Sequence, residues 1–182
     1  MDSQVELQYL TRKMTLDETE LYDLMTAYGD DVRRYAYAIT KNREQAKDIA
    51  QEAFLKAYRS FGTFKGRSSL KTWLFSITRN EAINEMKSSY MRRIVLFEWV
   101  KPRGTGESAE TAYLEEQSAR EIREALMSLS GKLREVLLLS LEHGLTMPEI
   151  AEVLNVSEGT VKSRLHRARQ AMNRKWKETE ER

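Results

Sequence analysis

Between Thr146 and Met172 the chain carries two helix starts separated by a break of three or four residues, and few folds satisfy that pattern. Thr146 followed by Glu149 is a capping box, which predicts a helix from Met147. Pro148 falls in its first turn, where a missing N–H is no loss. Ile150, Ala151 and Leu154 form its apolar face, and Asn155 and Val156 interrupt it. Ser157 can cap a second helix, in which Val161, Leu165, Ala168 and Met172 recur at i, i+4, i+7 and i+11. Two short helices locked through apolar faces across a tight break describe a helix-turn-helix. From Ser157 to Trp176 the second helix holds Lys162, Arg164, Arg167, Arg169, Arg174 and Lys175 against Glu158 alone. At 100° per residue, Lys162, Ser163, His166 and Arg167 share a side away from much of the apolar stripe. A helix of this kind enters the major groove with short and basic side chains at base edges and its flanks on phosphates. A charge run alone would describe a solvated structural helix; the helix-turn-helix pattern moves the reading to DNA.

Composition agrees with a helical, locally polarised protein. The 182 residues include 41% hydrophobic and 32% charged residues, with only eight glycines and two prolines. Net charge is +2, so the basic character is local. Residues 115–152 hold eight acids against four bases. This polarity predicts a defined binding surface rather than a generally basic one. The absence of cysteine excludes disulfides, cysteine-ligated zinc and a thiol nucleophile. No run of 18 apolar residues and no signal-peptide pattern occurs, so a soluble cytoplasmic protein without membrane insertion is expected.

Along the chain, residues 1–14 read as a short leading helix or a tail. Thr15 and Glu18 form another capping box, predicting a helix that ends near Gly29 and buries Leu21, Leu24 and Met25. A second helix is predicted from about Asp31 to Lys41 on Val32, Tyr35, Ala36 and Ile39. A third carries Ala46, Ile49, Ala50, Ala53, Phe54, Ala57, Tyr58 and Phe61 on one side and Asp48, Gln51, Glu52 and Lys56 on the other. Gly62 to Ser69 reads as a loop with Phe64, Lys65, Gly66 and Arg67 at its tip. Phe64 can plug the core or stack on a nucleobase beside its cationic neighbours. Ser68 or Ser69 caps a long helix to about Tyr90, with Leu70, Trp73, Leu74 and Ile77 inward. Arg79, Asn80, Asn84 and Lys87 are polar positions able to line a nucleic-acid surface. Periodicity fails after Arg92–Arg93, and Pro102, Gly104, Gly106 and Ser108 mark a linker. Its apolar start, Ile94 to Trp99, calls for cover from a partner or a groove. Helix resumes near Tyr113, with Leu114, Ile122, Ala125, Leu126 and Leu129 inward. After Ser130–Gly131 comes a helix on Leu133, Val136, Leu137 and Leu141. The expected fold is all-α: residues 1–92 and 113–182 form two small helical domains, joined by an extended linker over 93–112.

D-I-A-Q-E-A-F-L-K-A-Y at Asp48–Tyr58 and S-S-L-K-T-W-L-F-S-I-T-R-N-E-A-I-N at Ser68–Asn84 resemble sigma region 2. The Gly144–Arg169 stretch is similar to sigma region 4. The pair, in this order and joined by a bare linker, resembles the group 4, or extracytoplasmic-function, sigma factors of bacteria. That resemblance implies a subunit that carries core RNA polymerase to promoters through the −10 and −35 elements, and that helps melt them without covalent chemistry or a cofactor. It implies contacts to the polymerase β′ clamp helices through Asp48, Gln51, Glu52 and, at the edge, Phe54, and to the β flap. It places Phe64, Lys65, Arg67, Arg79, Asn80 and Asn84 at the −10 element. It places Lys162, Ser163, His166 and Arg167 at the −35 bases, with Thr160, Arg164 and Arg169 near phosphates. It also implies an anti-sigma factor, often membrane-anchored, for which Ile94–Trp99 is a candidate contact. Ser130–Gly131–Lys132 departs from the proline and acid common at that turn.

Two other classes fit less of the chain. A response-regulator-type transcription factor shares the helix-turn-helix but needs a βα domain in front, and the N-terminal half lacks strand alternation and clustered aspartates. A helical nuclease would need metal ligands or a phosphate-cradling loop, whereas only His143 and His166 are available and Glu115–Glu116 sit at i, i+1, where they do not converge.

Overall fold

A computed structural model describes the backbone of residues 16–95 and 115–180, with side chains over 16–88 and 121–176. The expectations for residues 1–14, for most of the linker and for the Leu96–Trp99 end of its apolar start lie outside the described residues.

Every regular element among the described residues is helical. Helix α1, Glu18–Thr40, is a single helix where the sequence suggests two. Its cap is Asp17 rather than Thr15: the Glu20 N–H donates to Asp17 at 2.8 Å, and Glu20 accepts the Asp17 N–H at 2.9 Å. Gly29 does not end it, because Leu24, Tyr28, Val32, Tyr35, Ala36 and Ile39 make one buried stripe that runs through it. Packing along that stripe offsets the roughly 1 kcal/mol cost of a helical glycine. Met25 lies off the stripe and is exposed. Since a Cβ at Gly29 would meet nothing within 4 Å, Gly29→Ala should stabilise the protein by about 0.5–1 kcal/mol. Urea denaturation measures this directly, and a loss of stability would mean that the chain bends there.

Asn42 caps α2, Arg43–Ser60, which continues into a 3₁₀ turn at Phe61–Thr63. Ser69 accepts the Thr72 N–H at the start of α3, Leu70–Val95. These three helices pack pairwise, with Ala46, Ala50, Ala53 and Ala57 letting α2 approach its neighbours closely. A Lys56–Glu81 ion pair at 2.7 Å joins α2 to α3.

The second bundle comprises α4 (Glu115–Ser128), α5 (Gly131–Leu141), α6 (Met147–Leu154) and α7 (Glu158–Glu180). Ser130 caps α5 without a side-chain hydrogen bond, so the unusual Ser130–Gly131 turn still starts a helix. Ile122 and Leu141, expected inward, are instead exposed. The two bundles meet, α3 against α6 and α1 against α5, and their buried residues form one continuous cluster from Leu16 to Ala168.

Candidate nucleic-acid interface

The α6–α7 unit has the geometry of a helix-turn-helix. Glu149 Oε2 accepts both the Thr146 N–H at 2.9 Å and its hydroxyl at 2.7 Å, fixing the start of α6. Asn155 ends α6 in the left-handed region at φ 51°, which asparagine tolerates better than most residues. The Val156 N–H then bonds back to the Ala151 carbonyl, closing the turn. Ile150, Ala151, Val153 and Leu154 of α6 bury against Val161, Leu165 and Ala168 of α7. With that side locked, Lys162, Ser163, His166, Arg167 and Arg169 are left exposed, while Thr160 and Arg164 are half-buried. The Thr160 hydroxyl is held 3.0 Å from that of Ser157. The exposed set presents one continuous cationic and hydrogen-bonding face.

On the N-terminal bundle, Lys65 and Arg67 are exposed around Gly66, whose φ of 63° makes the tight tip. Phe64 is half-buried and packs on Trp73 at 5.2 Å and Phe61 at 6.0 Å between ring centroids. It therefore braces the loop against α3 in this state, the plug reading rather than a free stacking platform. Asn80 and Asn84 are exposed one turn apart on α3. Arg79 differs: its Nε donates to Glu135 of α5 at 2.8 Å, and its side chain is only 20% exposed. On α2, Asp48 and Gln51 are exposed and Glu52 is half-buried. Phe54 is 4% exposed and belongs to the core; the apolar residue available beside that acidic face is Leu55, 43% exposed. The correction follows from helical phase, since Phe54 follows Ala50 by four residues on the inward stripe.

Several charged residues at the seam between the bundles escaped the sequence reading. Arg134 is buried and donates to three carbonyls, those of Ala38, Met127 and Leu129. Glu149 Oε1 accepts hydrogen bonds from Ser69 at 3.2 Å and Thr72 at 3.0 Å, both on α3. Burial pushes the Glu149 carboxyl up, but the hydrogen bonds from Thr146, Thr72 and Ser69 outweigh it and hold the group below its ordinary value. Arg34 pairs with Glu142 at 2.7 Å. His143 sits with its ring 4.6 Å from Phe75 and 6.1 Å from Tyr35. The one available signal was Arg134–Glu135, two charges set among the apolar positions of α5.

Comparison with known families fits this geometry. Residues 24–92 match sigma-70 region 2, and residues 119–172 match sigma-70 region 4. The chain is 30% identical to the RNA polymerase sigma-H factor of Pseudomonas aeruginosa, over 96% of this chain and 95% of that protein. It belongs to the extracytoplasmic-function sigma factors of the sigma-70 family. This sigma factor is also 29% identical to the ECF sigma factor SigW of Bacillus subtilis, over 87% of this chain and 89% of that one. Among solved structures, the sigma factor RpoE of Bartonella quintana, crystallised with the anti-sigma factor NepR, aligns with a TM-score of 0.72 at 26% identity. That alignment covers 86% of this chain and 96% of RpoE. Sigma factors of this family bind core RNA polymerase and direct it to promoters, and the response-regulator alternative is not favoured. No helix among the described residues is long and apolar enough to cross a membrane.

Proposed function

We propose that this sigma factor holds core polymerase through the exposed face of α2 and reads promoters at two points, without covalent chemistry of its own. Asp48, Gln51 and Glu52 face the β′ clamp helices, with Leu55 supplying the apolar contact. Lys65, Arg67, Arg79, Asn80 and Asn84 line the −10 strands, and Phe64 leaves its packing on Trp73 to stack on an extruded base. The exchange of one ring stack for another offsets part of the few kcal/mol that unstacking DNA costs. Lys162, Ser163, His166 and Arg167 enter the −35 major groove, while Thr160, Arg164 and Arg169 approach phosphates. The domains run over 1–92 and 113–182, and the linker over 93–112 sets the promoter spacer tolerated. The factor acts in the bacterial cytoplasm and is held in check by an anti-sigma factor, as the Bartonella quintana RpoE–NepR complex suggests.

The observation that carries this reading is the exposed Lys162–Arg167 face on a helix whose opposite side is locked to α6. A side chain reading one base pair has a distinct signature. Arg167→Ala in the holoenzyme should cost about 1–3 kcal/mol at one −35 position and relax preference there. Binding to a randomised −35 library measures it. An unchanged profile would remove its base-reading role, and a uniform loss at every sequence would make it a phosphate contact.

A further inference from the structure

The seam between the bundles is built from charged groups, and some of them are groups that the promoter reading needs. Arg79 is held by Glu135 at 2.8 Å, with the side chains only 20% and 11% exposed. Glu149 fastens the first helix of the helix-turn-helix to Ser69 and Thr72, beside the Phe64–Arg67 loop. Arg134 reaches across to the Ala38 carbonyl at the end of α1. An arginine closed over by a carboxylate cannot also meet a DNA strand, and Glu135 supplies the negative charge that a phosphate would.

His143 lies at the centre of this seam. Its side chain has no solvent exposure, and neither ring nitrogen has a hydrogen-bond partner among the described residues. From α1 it faces Asp31, Arg34 and Tyr35; from α3, Lys71 and Phe75; its own turn adds Glu142, which Arg34 engages. The Asp31 carboxylate stands 3.7 Å from Nδ1, too far for a hydrogen bond, and Lys71 also approaches that carboxylate at 3.5 Å. A neutral ring between Tyr35 and Phe75 fits this site. A charged ring would donate from both nitrogens, and neither finds an acceptor within hydrogen-bond distance among the described residues.

We infer that region 4 clasps region 2 in an autoinhibited state of the free sigma factor, with Glu135 occupying Arg79 as a stand-in for promoter DNA and a neutral His143 as the pin that must stay uncharged for the clasp to hold. This rests on the reading of Arg79 as a −10 contact. Opening frees Arg79, the α3 polar face and the helix-turn-helix together, so neither promoter element is engaged by half of a closed molecule. Acid loosens the clasp. Burial, opposed by the Asp31 carboxylate and aided by the Lys71 and Arg34 charges, holds the closed-state pKa of His143 at about 4, below the ordinary 6.5. The closed state is therefore favoured above 6.5 and loses that advantage progressively as pH falls from 6.5 towards 4.

The chain has no cysteine, so dyes can be placed at Glu44→Cys and Asn173→Cys, both exposed, and the closed fraction read by single-molecule energy transfer. The full-length wild type should be mainly closed at pH 7.5, and its closed-to-open ratio should fall about tenfold by pH 5.5. His143→Phe, which keeps a ring beside Phe75 and Tyr35, should stay closed and lose the pH dependence. Glu135→Ala should lower the ratio at least tenfold at pH 7.5 and raise the affinity of the core-free chain for a −10 single strand. Should Glu135→Ala fail to fold, the pH series on the wild type and His143→Phe decides alone. A wild type already open at pH 7.5, or a closed fraction indifferent to both pH and Glu135→Ala, would overturn the clasp. Transcription by holoenzyme carrying Glu135→Ala separates the two readings: an inactive holoenzyme with an opened clasp would count against the assigned promoter contacts instead.

Discussion

Glu52→Lys is expected to abolish binding to core polymerase while leaving the helical fold intact. Glu52 lies on the outward side of α2 with Asp48 and Gln51, opposite the alanine stripe that holds the bundle together. Reversing its charge sets it against Lys56 one turn on, which costs the helix only a few tenths of a kcal/mol. At an interface the same change removes one partner of a charge pair and adds a repulsion, a loss of about 2–5 kcal/mol or more. Fluorescence anisotropy against core enzyme should therefore show at least a thirtyfold weaker complex, with an unchanged circular dichroism spectrum. Binding equal to the wild type would place the docking face on another helix.

Leu139→Ala should carry the largest stability penalty outside the seam. Leu139 is fully buried in α5, the helix that α6 and α7 enclose on one side and α1 approaches on the other. Removing its isobutyl group leaves a cavity that rigid helices on several sides cannot collapse into, a cost of about 2–5 kcal/mol. A four-helix unit of this size has little stability to spare. Its melting should shift by several degrees or become incomplete at 37 °C, whereas Leu141→Ala, 67% exposed, should change little. Equal penalties at the two positions would mean that α5 is rotated from the orientation described.

That contrast also shows what the sequence made legible. Where a helix buries one face, as α2, α6 and α7 do, the period of 3.6 named the inward residues, apart from Tyr58 at the edge of the α2 stripe, which is exposed, and, by exclusion, the exposed Lys162–Arg167 face. Phe54 follows the phase of Ala50, Ala53 and Ala57 into the core, so its periodicity holds while the edge contact that the family resemblance implies has no exposed ring to make it. In α5 the rule fails for a physical reason: Val136, Leu137, Leu138 and Leu139 are all buried because the helix is covered on two sides. A stripe read for one core then picks Leu141, which faces solvent. Gly29 misled in the opposite direction, since local helix propensity is weak beside a continuous buried stripe. The seam itself was illegible. Glu135, His143 and Glu149 are ordinary polar residues in sequence, and only the docking of distant helices gives Glu135 and Glu149 partners 56 and 80 positions away and encloses His143. Phe64 stood between two readings, and the structure places it on Trp73 without deciding what it does on DNA.

We propose that one chain reads two promoter elements at a spacing set by its linker. Mapping transcription start sites made by purified core polymerase plus this protein on fragmented genomic DNA tests it most directly. Starts should depend on the added protein and share an upstream pair of motifs at one narrow spacing, with Arg167→Ala altering the upstream motif alone. Starts with no common motif pair, or the same starts from core enzyme without the protein, would contradict it.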